Sequence, residues 1–349
     1  VPRRERHAAR KRHHLRAAEN ACLMRVDDAE KVFADINGVR QGMFIQSPNA
    51  DHPVLLYLHG GLPEYFLTER YPTGLENDFT VVWWEQRGAG LSFRPDIPPG
   101  TMTLEQFIAD TLAVTDYLRN RFGKEKIYLM AHSGGTFIGL QAAARAPEVY
   151  CAYIGVAQIV RQLESERLAQ EYMLARFTDS GSRRMVRKLK AAPVSRAAGA
   201  PDGYLAVRDR AMHSLGIGTT REMSSVLRGL FLPSLISPHY TLGEKMRLWR
   251  GKFSSGVSAL WDEMLAADLT DRVPEVTLPA YFFHGAYDYT VSYQLARNYV
   301  AALRAPLKGF YTFAQSAHSP IMEESHKARR IMRDDVLAGR NSLADGSSQ

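Results

Sequence analysis

The sequence has no run near the roughly 18 consecutive apolar residues that a membrane-spanning helix requires, and its N-terminal stretch lacks the apolar segment of a secretory signal. No membrane span is expected. Cysteine is scarce: Cys22 and Cys151 are the whole supply in 349 residues, too few for a disulfide framework or a cysteine-rich zinc site. No His-x-x-x-His and no paired acid–histidine spacing occurs, and His13-His14 falls in the N-terminal tail, which disfavours a metal-dependent hydrolase. A reduced, cytoplasmic protein with neither metal nor cofactor is the expectation. What is present is ordinary. Hydrophobic residues make up 45% and charged residues 23%, proportions that suit a globular core and exclude disordered, collagen-like and repeat classes.

The net charge of +7 would suggest a nucleic-acid or anionic-membrane partner if it were spread evenly. It is not. Residues 1–16 hold seven Lys and Arg against one acid, residues 17–157 hold 11 against 17, residues 158–256 hold 17 against 8, and residues 257–349 hold 9 against 11. The excess is confined to a tail and one middle segment between two acidic ones, so the net charge says little about partners; the partner expected is a small-molecule or short-peptide substrate, with no nucleic acid. Residues 1–23 read as a basic, disordered tail, with Met24 as a candidate start. Residues 341–349, rich in Ser, Gly and Asp, read as a flexible C-terminus.

Between these ends the chain alternates. Val32–Ile36 and Val39–Ile45 flank Asn37-Gly38, a strong hairpin signal. Val54-Leu-Leu-Tyr-Leu58, Phe79–Trp84, Ile127–Ala131, Ala280–Phe283 and Gly309–Phe313 are apolar runs of strand length, each followed by a turn. Leu104, Phe107, Ile108, Thr111, Leu112, Thr115 and Leu118 recur at helical spacing, and further helices fit residues 139–146 and 293–303. Strands that are apolar throughout, separated by helices, predict a mostly parallel central sheet with helices on both faces. Residues 158–256 break the rhythm with helical periodicity and no buried strand. They read as a helical cap inserted into an α/β core made of residues 24–157 and 257–340.

Three positions carry the chemistry. Ser133, in Ala131-His-Ser-Gly-Gly135, falls between a strand and a helix, the setting of a nucleophile elbow. Asp288, in His284-Gly-Ala-Tyr-Asp288, and His318, in Ser316-Ala-His318, each follow a strand, and catalytic groups of open α/β sheets sit at such carboxyl ends. A serine hydroxyl needs an imidazole to take its proton, and the imidazole needs a carboxylate to fix its tautomer. His59-Gly60-Gly61 follows another strand. The backbone N–H groups of Gly61 and Gly134 are placed to form an oxyanion hole. His59 and His132 read as loop-setting residues.

These residues together resemble the α/β-hydrolase superfamily, and more narrowly its branch around proline iminopeptidase. That branch carries HGGPG, DQRGxGxS, GxSWGx, G-x-x-D and a late His. Here they read His59-Gly-Gly-Leu-Pro63, Glu85-Gln-Arg-Gly-Ala-Gly-Leu-Ser92, Ala131–Gly135, Gly285–Asp288 and Ala317-His318. The likeness spans about residues 30–335 and implies a Ser-His-Asp hydrolase with a helical cap over its site. Three departures stand out: Leu62-Pro63 in the oxyanion loop, Glu85 for Asp, and Gly134 for the Trp after the nucleophile, which enlarges the acyl pocket. Iminopeptidases bind a cationic N-terminal amine, usually with cap acids, which makes Glu164, Glu166 and Glu171 the substrate-binding candidates; solvated helix charge is their competing reading. Ser133 at the elbow argues against a haloalkane dehalogenase or an epoxide hydrolase, which would need Asp there. The expected function is a serine hydrolase cleaving a small ester, lactone or amide through an acyl-enzyme. A proline iminopeptidase-like aminopeptidase is the alternative, and a non-catalytic ligand-binding protein of the same fold the second alternative.

Overall fold

The computed structural model describes residues 29–49, 51–255 and 259–347; the basic tail, Met24 and the last two residues lie outside them. Asn37 and Gly38 both have positive φ, 47° and 76°, the geometry that matches a tight hairpin to the strand twist. They join β1 (Glu30–Ile36) to antiparallel β2 (Val39–Gln46). The apolar runs form β3 (Val54–Leu58), β4 (Thr80–Glu85), β5 (Ile127–His132), β7 (Ala280–Gly285) and β8 (Lys308–Phe313). β6 (Tyr150–Val156), absent from the sequence reading, fills the gap between β5 and β7.

The sheet runs in the order β1-β2-β4-β3-β5-β6-β7-β8. β1, β2 and β4 pair antiparallel, and β4 through β8 are parallel. Side chains alternate along each strand, so neighbouring residues enter different cores. Leu56, Leu58, Val82, Trp84 and Leu129 pack into one cluster, whereas Leu55, Tyr57, Val81, Trp83 and Met130 pack into another.

The helices are α1 (Leu104–Phe122), α2 (Gly134–Arg145), α3 (Gln162–Asp179), α4 (Arg183–Lys190), α5 (Asp202–Ser214), α6 (Leu232–Ile236) and α7 (Leu242–Ser255). They continue with α8 (Ala259–Ala266), α9 (Leu269–Arg272), α10 (Tyr293–Ala302), α11 (Pro320–Glu323) and α12 (Ser325–Ile331). Thr103 starts α1 by accepting a bond from Gln106 N–H, and Gly123 ends it at φ 61°, a cap at each end. From α3 to α7 the described chain is helical with no named strand, and its first half has a core of its own around Met173, Leu189, Tyr204 and Met212.

The C-terminus departs from expectation. Residues 341–347 are tied down: buried Asp335 accepts from the Ser342 and Leu343 amides at 3.1 and 2.8 Å, and Asp345 N–H reaches the Phe310 carbonyl. The Ser/Asp composition is used here for local hydrogen bonds.

Two polar anchors hold the loops that follow β4. Asp110 of α1 is fully buried and accepts from Arg87, Gln41, Asn37 and Gln106 at 2.7–3.0 Å. Glu85 accepts from the Leu91 amide and from the hydroxyl of Tyr240, just before α7, so the Glu at the departing family position joins the loop to the helical segment. Burial raises the Glu85 carboxyl to about 7. Gly251 of α7 lies against the same loop, where a Cβ would stand 2.6 Å from the Gly88 carbonyl oxygen. We expect Asp110→Ala to leave the Arg87 guanidinium buried without its carboxylate and to cost about 3–5 kcal/mol, read by urea unfolding against wild type.

Candidate active site

The strand β5 ends at His132 and α2 begins at Gly134, which leaves Ser133 alone to make the turn. It does so at φ 53° and ψ −125°, a backbone state that non-glycine residues adopt only under constraint. The constraint is visible. Ser133 N–H donates to the Val156 carbonyl of β6, and the Ser133 carbonyl accepts from the Thr136 amide and hydroxyl. The turn lifts the side chain to the N-terminus of α2, where free N–H groups and the helix dipole favour an anion.

The loop after β3 covers this elbow. Gly60 passes so close that a Cβ there would lie 2.7 Å from Ser133 Cβ and 3.1 Å from its Oγ. His59 sets the loop: its Nδ1–H donates to the Gly60 carbonyl at 2.7 Å, while Nε2 accepts from the Gln86 amide at 3.1 Å. Burial lowers the His59 pKa to about 4, which keeps it the neutral donor–acceptor this arrangement needs. In a trans peptide the C=O and N–H point opposite ways. Turning the Gly60 carbonyl toward His59 therefore turns the Gly61 N–H away from it, and Gly61 N lies 3.9 Å from where a Cβ on Gly134 would stand.

Asp288 follows β7. Its Oδ1 accepts from the Thr290 and Val291 amides at 2.9 and 3.0 Å, and its Oδ2 takes the His318 Nδ1–H at 2.8 Å. His284 Nε2 is a further 3.4 Å neighbour of Oδ2. Burial alone would raise the Asp288 pKa; His318 and His284 outweigh it and hold the carboxyl well below the usual range. The His318 loop is held from two sides. Its amide donates to the Gly218 carbonyl of the helical segment. Beside it the Ala317 amide donates to Glu323 Oε1, whose other oxygen accepts from the Arg221 amide. Burial is the largest cause of a lowered His318 pKa, with the nearby His132 acting in the same direction.

Ser133, His318, Gly61 and Gly134 open into one cavity of about 400 Å³. The core supplies its floor. The helical segment contributes lining residues such as Leu205, Met212, His213, Trp249 and Lys252. The structure thus brings Ser133, His318 with its partner Asp288, and the His59–Gly61 loop to one place. It does not bring Glu164, Glu166 and Glu171 there. Glu164 and Glu171 pair with Arg167 on α3, and Glu166 is buried in a two-pronged bond to Arg208 with Tyr204 beside it. The carboxylates among the cavity-lining residues are instead Glu64 and Asp209. Burial works to raise the Asp209 carboxyl, but Arg208 and Lys252 outweigh it and leave it lowered.

Residues 53–325 match the family described as the alpha/beta hydrolase fold. The chain belongs to this family. It is 31% identical over 300 residues to the probable aminopeptidase YbaC of Bacillus subtilis (strain 168), an alignment that covers 83% of this chain and 90% of that protein. Among solved structures it superposes on VinJ with a TM-score of 0.63 at 16% identity, covering 88% and 98% of the two chains. On the proline iminopeptidase of Mycobacterium smegmatis the TM-score is 0.59 at 17% identity, again covering 88% and 98%. At such identities the superpositions establish the fold.

The close approach of Gly60 gives this α/β-hydrolase a steric test. Gly60→Ala places a methyl group against the Ser133 side chain, and we expect it to lower kcat on an aryl ester by about 100-fold and to cost about 1–3 kcal/mol of stability through overpacking, so that the protein still folds; assays and urea melts on one preparation check both.

Proposed function

We propose that this α/β-hydrolase cleaves a small ester or amide through a covalent acyl-enzyme on Ser133. The observation that carries the reading is the buried Asp288–His318 bond of 2.8 Å, placed at the cavity into which the Ser133 elbow projects. With Nδ1–H committed to Asp288, a neutral His318 keeps its lone pair on Nε2, the nitrogen that takes a serine proton in such triads. Ser133 attacks the carbonyl carbon, and His318 accepts the hydroxyl proton and passes it to the leaving group. The Gly61 and Gly134 N–H groups receive the oxyanion, and water then releases the acyl group by the reverse roles. Residues 158–256 act as the cap that roofs the cavity and limits water.

A second reading, aminopeptidase action on short substrates, is favoured by one feature of the cavity. Asp209 of α5, whose Oδ1 accepts from Arg208 at 2.7 Å, puts its carboxylate into the cavity wall, where a substrate α-ammonium group would meet it. The likeness to a protein named a probable aminopeptidase supports the same reading. Asp209 takes the place of Glu164, Glu166 and Glu171 as the candidate amine partner.

Four outcomes check this account. Ser133→Ala abolishes turnover, and Asp288→Asn lowers kcat by about four orders of magnitude through the wrong His318 tautomer, measured on 4-nitrophenyl acetate; a loss of only severalfold in Asp288→Asn contradicts the assignment. Because the His318 pKa lies below its ordinary 6.5, kcat/KM rises with pH through an acidic limb below that value and has levelled by pH 7. Asp209→Asn lowers kcat/KM for an alanyl or prolyl arylamide by about 10–100-fold and has a much smaller effect on the amine-free ester; equal losses on both substrates contradict amine recognition.

A further inference from the structure

Behind Ser133 and His318 lies a second histidine–carboxylate pair that the proposed chemistry leaves unused. His132, the residue before the nucleophile, is buried. Its Nδ1 stands 2.8 and 3.0 Å from the two Glu64 oxygens, and its Nε2 stands 2.7 Å from the backbone carbonyl oxygen of His318. A carbonyl only accepts, so Nε2 must carry hydrogen. At Nδ1 one proton lies between the imidazole and the carboxyl. The Tyr57 hydroxyl donates to the same carboxyl at 2.5 Å, which favours the carboxylate and puts that proton on His132. Burial opposes charge on both partners, yet their mutual attraction outweighs it, holding Glu64 below and His132 above their ordinary values.

The pair connects three loops that are far apart in the chain: the segment after β3 through Glu64, the elbow through His132, and the loop after β8 through His318. The rings of His132 and His318 lie 4.8 Å apart between centroids at 43°. We propose that His132, held as an imidazolium by Glu64, is a positioning residue for His318: it grips the backbone of the His318 loop and keeps a fixed positive charge beside the His318 ring, favouring the neutral, proton-accepting form.

This inference rests on the reading of His318 as the base. Other groups act on the same ring. Asp288 bonds to His318 and, with Glu64, favours its charged form. His284 touches Asp288, and Glu323 acts on the neighbouring Ala317 amide. Glu64 is itself faced by Tyr57 and by the neutral His59. Burial and His132 oppose Asp288 and Glu64, and the net direction for His318 is downward.

Two readouts test the proposal. The first is ¹⁵N NMR of the histidine side chains in full-length Ser133→Ala protein. His132 is expected to show both ring nitrogens protonated at pH 7, and to lose that signature when Glu64→Gln is added. A neutral His132 at pH 7 overturns the proposal. The second is the pH profile of kcat/KM on 4-nitrophenyl acetate for His132→Gln, which can still donate to the His318 carbonyl but carries no charge. Its acidic limb moves up by about one pH unit, a tenfold loss of the basic form at a fixed pH below the limb. A lower plateau with an unmoved limb means a purely structural role and overturns the tuning claim. Where His132→Gln does not fold, the NMR result alone decides. His318→Ala separates the two claims: if it keeps wild-type activity, the base assignment fails; if it is inactive while the His132→Gln limb is unmoved, only this inference fails.

Discussion

Everything at the site hangs on the backbone of Ser133 being held where it would not stay unaided. A serine at φ 53° persists because its amide is committed to β6 and its carbonyl to Thr136. Gly60 then closes over it with no side chain to spare. The order of the strands makes this possible. β3 and β6 flank β5 directly, so the loop that carries Gly61 and the carbonyl that anchors Ser133 arrive from the two neighbours of the strand that ends at the Ser133 turn. Asp288 and His318 come from β7 and β8, on the same carboxyl edge.

The second theme is the use of buried charge. Asp110 with Arg87, Glu64 with His132 and Glu166 with Arg208 are close polar pairs whose carboxylates are buried. Each joins segments distant in sequence: α1 to the loop after β4, the oxyanion loop to the elbow, α3 to α5. Such pairs add little net stability over apolar packing, but breaking one is costly. They therefore fix how the loops meet more than how firmly the sheet holds. The helical segment is drawn into this system by Tyr240 on Glu85 and by the Gly218 carbonyl on the His318 amide, so its placement is coupled to the catalytic loops.

Much of this was legible in the sequence. The strand ends that precede Ser133, Asp288 and His318 were readable because a strand end is a local pattern, an apolar run stopped by Gly or polar residues. The Asn37-Gly38 turn and the bounds of α1 were readable for the same reason. β6 was missed because Tyr150-Cys-Ala-Tyr-Ile-Gly-Val follows α2 after only a short turn and carries small residues that blur its strand character. That Glu164, Glu166 and Glu171 are not among the cavity-lining residues was not legible, for a different reason. Periodicity along α3 cannot say that Glu166 meets Arg208, 42 residues away, or that Glu64 and Asp209 are the acids that line the cavity. The Glu64–His132 contact spans 68 positions and has no local signal at all. The ordered C-terminus likewise depends on Asp335, whose burial no composition count reveals.

The central claim is that Ser133 is the nucleophile and that His318 activates it. Intact-mass and peptide-mass analysis after treatment with a fluorophosphonate tests this without any choice of substrate. The account predicts one stoichiometric adduct on the peptide containing Ser133, absent from Ser133→Ala and formed far more slowly in His318→Ala. A folded wild-type protein that takes up no probe, or takes it up at another residue, would contradict it.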